Sequence, residues 1–321
     1  MKRLIRNNRA TRLALALIRS IRWLAYYLRY SATLSKVYVP NHSRAWILKE
    51  AHTLEKGLSF SSIRPYFGAA KRLKLLREVE ASFLAGANQG PRSIAVGVLE
   101  DYLDWHERNG HTNEELRKLA EVVNGMERPT QSLRGGTLRY RRDYTAETTK
   151  SYDSIVMERR SVRNFRPDPV PPEVIIEAVR VANYSPSVCN RQSWAVSLVQ
   201  EPKMVRRMLD LQNGNKGFDD TIGNMIVVLA DVRGFLDEYE VFEPFIDAGI
   251  FSGALVNALN AHNVGSCCLN LCVSHHMAMN VVRALDLEAG LFPVMMIACG
   301  YVADDCQVAM SARLEPTVFL R

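Results

Sequence analysis

The sequence predicts an α+β protein, a sandwich of helices around a small central sheet, preceded by an all-α accessory region. Three observations carry this. In the C-terminal half, four short apolar runs, the plainest of them rich in valine and isoleucine, alternate with stretches of helical apolar spacing. Residues 45–150 show helical spacing alone. No Gly-x-Gly-x-x-Gly follows any predicted strand, which disfavours a dinucleotide-binding fold. The 321 residues, 47% hydrophobic and 23% charged, suit one large core plus an accessory part.

Residues 1–44 form a basic N-terminal segment. The first 49 residues hold eleven Lys or Arg and no acid, while the other 272 hold 30 basic against 34 acidic residues, so the net +7 comes from the N-terminus. On a helical wheel Arg12, Arg19, Arg22 and Arg29 share one face and Leu13, Leu17, Ile21, Leu24 and Leu28 another. Trp23, Tyr26 and Tyr27 add aromatic side chains of the kind favoured at a lipid interface. This pattern predicts a basic amphipathic helix making peripheral contact with an anionic membrane, at its cytoplasmic face, or equally a helix packed on its own domain or a partner subunit. Arg19 and Arg22 interrupt an apolar run already too short to span a bilayer. Nucleic-acid binding is the poorer reading and no nucleic-acid partner is expected, because the basic residues sit on one short segment with no recognised reading module beside them.

Residues 45–150 are the predicted helical accessory region and linker. Helices are expected at 45–57, 68–83, 94–108 and 113–123. His52 and Glu55 share a helical face, but without a third ligand or partner they read as a surface pair. Residues 129–144, rich in Arg, Gly and Thr, read as the linker.

Residues 151–321 are the predicted catalytic domain. Its expected order is helix 153–158, helix 172–183, strand 195–200, helix 202–211, strand 225–231, helix 243–262, strand 266–270, helix 275–285 and strand 294–300. Pro172 and Glu173 suit a helix start, since proline in the first turn forfeits no hydrogen bond and an acid there meets the dipole. Ser274 is the expected N-cap of the helix bearing His275 and His276. All six cysteines fall in this half, at spacings that match no zinc pattern, and read as reduced thiols of a cytoplasmic protein with no metal site.

Two polar stretches carry the chemistry. Glu158-Arg159-Arg160-Ser161-Val162-Arg163-Asn164-Phe165 gathers three arginines around a serine, a donor set suited to a phosphomonoester, whose charge and several acceptor oxygens favour planar guanidinium. Arg159 and Arg163, four apart, share a face if the segment is helical. Downstream lies Ser185-Pro186-Ser187-Val188-Cys189-Asn190-Arg191-Gln192-Ser193-Trp194, a polar turn ending in Asn, Gln and Trp.

Together these stretches resemble the nitroreductase family of FMN-dependent oxidoreductases, whose pattern is met by Arg159, Arg160, Ser161, Arg163, Phe165, Pro186, Ser187, Asn190, Gln192 and Trp194. Ser193 stands where the family usually has proline. The resemblance covers residues 150 to 321 and implies a nitroreductase-like sandwich. The cofactor is then FMN, and the reductant NADH or NADPH. Hydride passes through flavin N5 to an electrophilic small-molecule substrate, a nitroaromatic, quinone or related acceptor. By this resemblance the cofactor-binding residues are Arg159, Arg160, Ser161, Arg163, Pro186, Ser187, Val188, Asn190, Gln192, Asn213, Asn215, Lys216, Leu269, Asn270 and Arg313, with either Asn213 or Asn215 as the flavin contact. Arg163 is implied near N1 and the C2 carbonyl, and a backbone N–H between Cys268 and Leu271 near N5. No side chain is implied as an indispensable catalytic acid or base. Cys268 replaces the usual aromatic, and Met310, Ser311 and Ala312 stand where a basic residue normally precedes the C-terminal arginine. The family further implies a homodimer with the flavin at the interface and Pro186 and Ser187 acting in trans; the 245–259 stretch, apolar on nearly all faces and in need of burial, is the expected interface helix. Two other readings keep the fold: a flavoenzyme that dehalogenates, dehydrogenates or fragments its substrate, and a decayed, non-catalytic scaffold.

Overall fold

The computed structural model describes residues 9–32, 40–58, 63–126, 134–137, 146–215, 217–236, 238–271, 273–304, 306, 308 and 318–321. Lys216 and Arg313 lie outside the described residues, as does most of the 129–144 stretch. Helices α1 (Arg9–Tyr30), α2 (Pro40–Leu58), α3 (Ala69–Leu84), α4 (Gln89–Arg108), α5 (Glu114–Asn124) and α6 (Ala146–Glu158) come first. They are followed by α7 (Pro172–Ala182), β1 (Trp194–Val199), α8 (Pro202–Leu211), β2 (Asn224–Asp231), α9 (Glu243–Ala261), β3 (Gly265–Asn270), α10 (His275–Ala284) and β4 (Leu291–Gly300).

The four strands form one antiparallel sheet in the order β1-β2-β4-β3. β2 is central and apolar from Met225 to Ala230 because both of its faces are covered, which is why it reads as a continuous run rather than an alternation. Met225, Val227 and Leu229 pack with Val205 and Met208 of α8 and Val281 of α10. The alternate residues Ile226, Val228 and Ala230 pack with Ile175 and Ala178 of α7 and Phe251 and Leu255 of α9. The helix starts follow the chemistry expected of them: Pro172 opens α7 with Glu173 in its first turn, and the Ser274 hydroxyl accepts the Met277 N–H at 3.2 Å.

Helices α2 to α5 bury a cluster of their own, with Ile47, Leu54, Leu75, Leu99 and Leu119 at its centre. α2 begins at Pro40, ahead of the expected 45. A proline fits the first turn of a helix, where the missing N–H costs nothing. The described part of the expected linker is tied down. Gly136 N donates to the Glu55 carboxylate at 2.9 Å, and Arg134 pairs with Asp101 at 2.7 Å. His52 Nδ1 stands 3.5 Å from Glu55 Oε2, and Glu55 therefore has a structural task rather than a chemical one.

Helix α1 corrects one expectation. Its aromatic residues do not face lipid: Tyr27 is fully buried with Val232 and Phe235, and Trp23, Tyr26 and Tyr30 pack against the same cluster. The Trp23 indole donates to Val241 O at 3.2 Å, and the Tyr26 hydroxyl donates to Leu291 O at 2.8 Å while accepting Gly290 N at 3.0 Å. Burial pushes the Tyr26 phenol well above its ordinary range. Large rings with one polar tip fill such a seam well, and the tips of Trp23 and Tyr26 find backbone partners. No helix among the described residues is long and apolar enough to cross a membrane.

Candidate functional site

The stretch after α6 is extended, not helical as the four-residue spacing of its arginines suggested. Ser161 bridges Ser266 of β3, with Val162 N donating to Ser266 O at 3.0 Å, and Phe165 bridges Val302 beyond β4. Alternation sets Ser161 and Arg163 opposite Val162, which turns into the core, 6% exposed, and Arg159, whose N–H still donates to Ile155 O at 3.3 Å, stands at the end of α6 just before them. Two glycines permit this approach. A Cβ on Gly265 would lie 2.8 Å from Val302 and 3.1 Å from Val162, and one on Gly300 would lie 2.9 Å from the Phe165 ring.

Electrostatics agree with that convergence. Burial pushes the Cys267 thiol up, and the guanidinium groups of Arg163 and Arg159 pull it back. Arg163 sits 6.0 Å over the Phe218 ring, with Nη1 3.4 Å from Ser161 O. Among the described residues neither Arg159 nor Arg163 is paired with a carboxylate, whereas Arg166, Arg191, Arg206 and Arg233 all are. Arg160 behaves differently. Its Nη1 donates to Met157 O and, at 3.0 Å, to Arg159 O, so it caps the end of α6. A pocket of about 250 Å³ opens here, lined by Arg159, Arg160, Asn260, Asn263 and Ser266 among others.

The loop after α8 joins the same edge of the sheet. Gln212 Nε2 donates to Asn270 O at 2.8 Å, at the end of β3, and Thr221 Oγ1 lies 3.5 Å from Arg163 O. Asn215 is 7% exposed and spends its amide on Leu209 O at 2.7 Å and Gln212 Oε1 at 3.1 Å. Asn213 is exposed. Leu269 points into the core at 3% exposure, and the neighbouring Cys268 and Asn270 side chains face out.

The second motif forms a separate, self-bonded turn. Ser187 Oγ accepts Gln192 N at 2.9 Å, and Gln192 Nε2 reaches Asn190 O and Oδ1, both at 3.2 Å. Cys189, Asn190 and Gln192 all have positive φ, 49°, 51° and 48°, a cluster of left-handed non-glycine residues that only strong anchoring sustains. Sequence reasoning missed the anchors. Arg191, fully buried, holds Glu240 through two bonds of 2.7 and 3.0 Å and Gly234 O at 3.0 Å. Asp247 of α9, 2% exposed, accepts Val188 N at 3.2 Å, and the half-buried Val188 side chain packs against the cluster of Tyr27, Val232 and Phe235. Burial raises the Asp247 carboxyl to about 6. Arg191 sat inside the quoted motif, yet nothing local separates a buried arginine from a ligand-binding one. Across the turn lies α2, with Arg44 Nη2 3.4 Å from Gln192 O.

The two motifs end at opposite edges of the sheet, the turn running directly into β1 and the arginine stretch lying along β3. Residues 156–216 match the Nitroreductase family model. Over this stretch the chain is similar to the nitroreductase family. Among similar curated proteins, the "NADH dehydrogenase" of Thermus thermophilus is 30% identical over 84 residues, 26% of this chain and 41% of that protein. The "4-nitrobenzoate reductase" of Pseudomonas putida is 39% identical over 56 residues, 17% of this chain and 25% of that protein. The matches thus span less than half the length of these relatives. An "FMN-dependent Nitroreductase" from Clostridium difficile superposes with a TM-score of 0.43 at 16% identity, over 49% of this chain and 91% of that one. A "Nitroreductase Family Protein" from Streptococcus pneumoniae gives 0.41 at 20% identity, over 52% and 94%. Within the nitroreductase match lie Arg159, Ser161, Arg163 and the whole 186–192 turn. Among the described residues no group of three or more His, Cys, Asp or Glu is placed to hold a metal ion.

Proposed function

We propose that the protein is an FMN-dependent oxidoreductase that takes hydride from NADH or NADPH and delivers it to a small electrophilic acceptor such as a nitroaromatic or a quinone. The observation carrying this is the convergence of Arg159, Ser161 and Arg163 beside the outer edge of β3, both guanidinium groups without a carboxylate partner among the described residues. Such donors fit the dianionic phosphate tail of a mononucleotide, because planar guanidinium gives paired bonds to its oxygens. Bound FMN would supply hydride acceptance and release at N5, and the protein's share is to bind, orient and screen it.

Arg159 and Ser161 are assigned to the phosphate. Arg163 is assigned to the N1 and C2-carbonyl edge, where a positive charge favours the reduced ring. Asn213 is the available asparagine, since Asn215 is spent within its own loop. Backbone N–H groups at the end of β3, around Leu269 and Asn270, are assigned to the N5 side. Arg160 supports the others by closing the end of α6.

The opposite placement of the motifs supports a homodimer. Sheet neighbours lie about 4.8 Å apart, so β1 and β3, separated by two strands, stand roughly 14 Å apart. Pro186, Ser187 and Asn190 are therefore assigned to the partner's cofactor. On α9 the outward residues Ile246, Gly249, Ile250 and Gly253 offer an uncharged face, with nothing within 4 Å of a Cβ built at either glycine, and this face suits the dimer contact. The decisive experiment is titration of the purified protein with FMN, followed by anaerobic mixing with each nicotinamide. A bound-flavin spectrum that bleaches on mixing is expected. Protein that gains no flavin spectrum, or holds flavin that neither nicotinamide reduces, sinks the proposal.

A further inference from the structure

Helix α1 is fixed to the protein by its aromatic side, and this leaves a second side without a partner. Leu17, Ile18, Ile21, Leu24 and Leu28 are 61%, 47%, 53%, 42% and 37% exposed. They form one stripe, about 17 Å long at 1.5 Å rise per residue. Arg22 and Arg29, both exposed, run along one edge of it. Scattered apolar residues on a surface need no explanation, but five at helical spacing on one face do.

We propose that this stripe is the surface by which the protein lies on an anionic lipid bilayer. Charge decides between possible occupants. Helix α1 carries five arginines, Arg9, Arg12, Arg19, Arg22 and Arg29, and no acid. Two copies of α1 meeting stripe to stripe would bring like charges together with nothing to offset them, whereas anionic headgroups attract each of them. A bilayer takes the apolar stripe into its headgroup boundary while the flanking guanidinium groups remain among the phosphates. The uncharged outward face of α9 is the better seat for a second copy.

The structure also changes which residues make the contact. Trp23, Tyr26 and Tyr27 are committed to the protein, and the aliphatic stripe is what meets lipid. Because the Tyr26 hydroxyl and the Trp23 indole hold α1 by backbone hydrogen bonds, the stripe is presented by the folded body rather than by a loose tail. Flavin binding plays no part in the contact, so FMN content serves as an independent control.

The test is sedimentation of the full-length protein with vesicles, either phosphatidylcholine alone or phosphatidylcholine and phosphatidylglycerol in equal parts. Sedimentation with the anionic vesicles only, weakening as salt is added, is expected. The double variant Ile21→Glu/Leu24→Glu should lose roughly tenfold or more of that partitioning while keeping its melting temperature, FMN content and oligomeric mass. Should that variant fail to fold, the milder Leu17→Ser/Ile21→Ser pair must reduce partitioning in the same direction. Absence of anionic-vesicle binding, binding unchanged in the folded variants, or a drop in oligomeric mass by light scattering would each overturn the proposal, the last by giving the stripe to a second copy.

Discussion

Arg159 and Arg191 both lie in motifs of the same chain, yet burial gives them opposite tasks. Arg191, fully buried against Glu240, is structural. Removing its partner with Glu240→Ala leaves a buried charge uncompensated and should cost about 3–5 kcal/mol of stability by chemical denaturation. Arg159 is half-buried and without a carboxylate partner, so Arg159→Ala should leave folding intact and weaken FMN binding roughly tenfold or more, the scale of one charge-assisted bond. His52→Ala serves as the control, and equal losses of affinity in the two variants would contradict the division between site and accessory helices. Asp247 yields a pH prediction. Burial raises its carboxyl from an ordinary 3.8 to about 6, so between those values the folded protein holds a proton the unfolded chain has lost. Its contribution to stability is complete below about pH 4 and is lost as pH rises through 6. Asp247→Asn should remove that decline, which melting curves from pH 4 to 7 will show; an unchanged pH profile would rule out Asp247 as its source.

At the level of elements, the site depends on how closely an extended strand can approach the sheet. Gly265 leaves room for Val162 and Val302 where a methyl group would meet both within about 3 Å. Gly265→Ala should therefore cost about 1–3 kcal/mol as overpacking and weaken FMN binding in parallel, because displacing Val162 displaces Ser161 and Arg163 with it. A variant destabilised with undiminished flavin affinity would separate the strand's position from the cofactor's. The strands and helices themselves follow local rules. β2 reads from its valine and isoleucine run because both faces are covered, and α10 from its serine cap.

For the whole molecule, the proposed function makes assembly part of the site, because the two motifs are separated across the sheet. If each flavin is completed by a second copy, a charge on the outward face of α9 should remove both properties together. Ile250→Glu, 43% exposed in the single chain, is expected to give a monomer by light scattering that retains little FMN. A monomer with full flavin content would show that one chain suffices. The accessory helices extend this organisation, since α2 lies against the 188–190 turn and Arg44 reaches Gln192 O.

By itself the sequence determined the α+β class, all four strands, the helices of the C-terminal half and the residues of the two motifs, because apolar periodicity, caps and guanidinium-rich stretches are local signals. It also placed the excess charge at the N-terminus. Tertiary structure alone decided that the arginine stretch is extended rather than helical, that Arg160 closes a helix, that Arg191 is an anchor, and that Asn215 is occupied. It also turned the aromatic residues of α1 inward and Leu17, Leu24 and Leu28 outward. Each of these depends on which distant segment occupies the space beside a side chain, and no spacing along the chain records that.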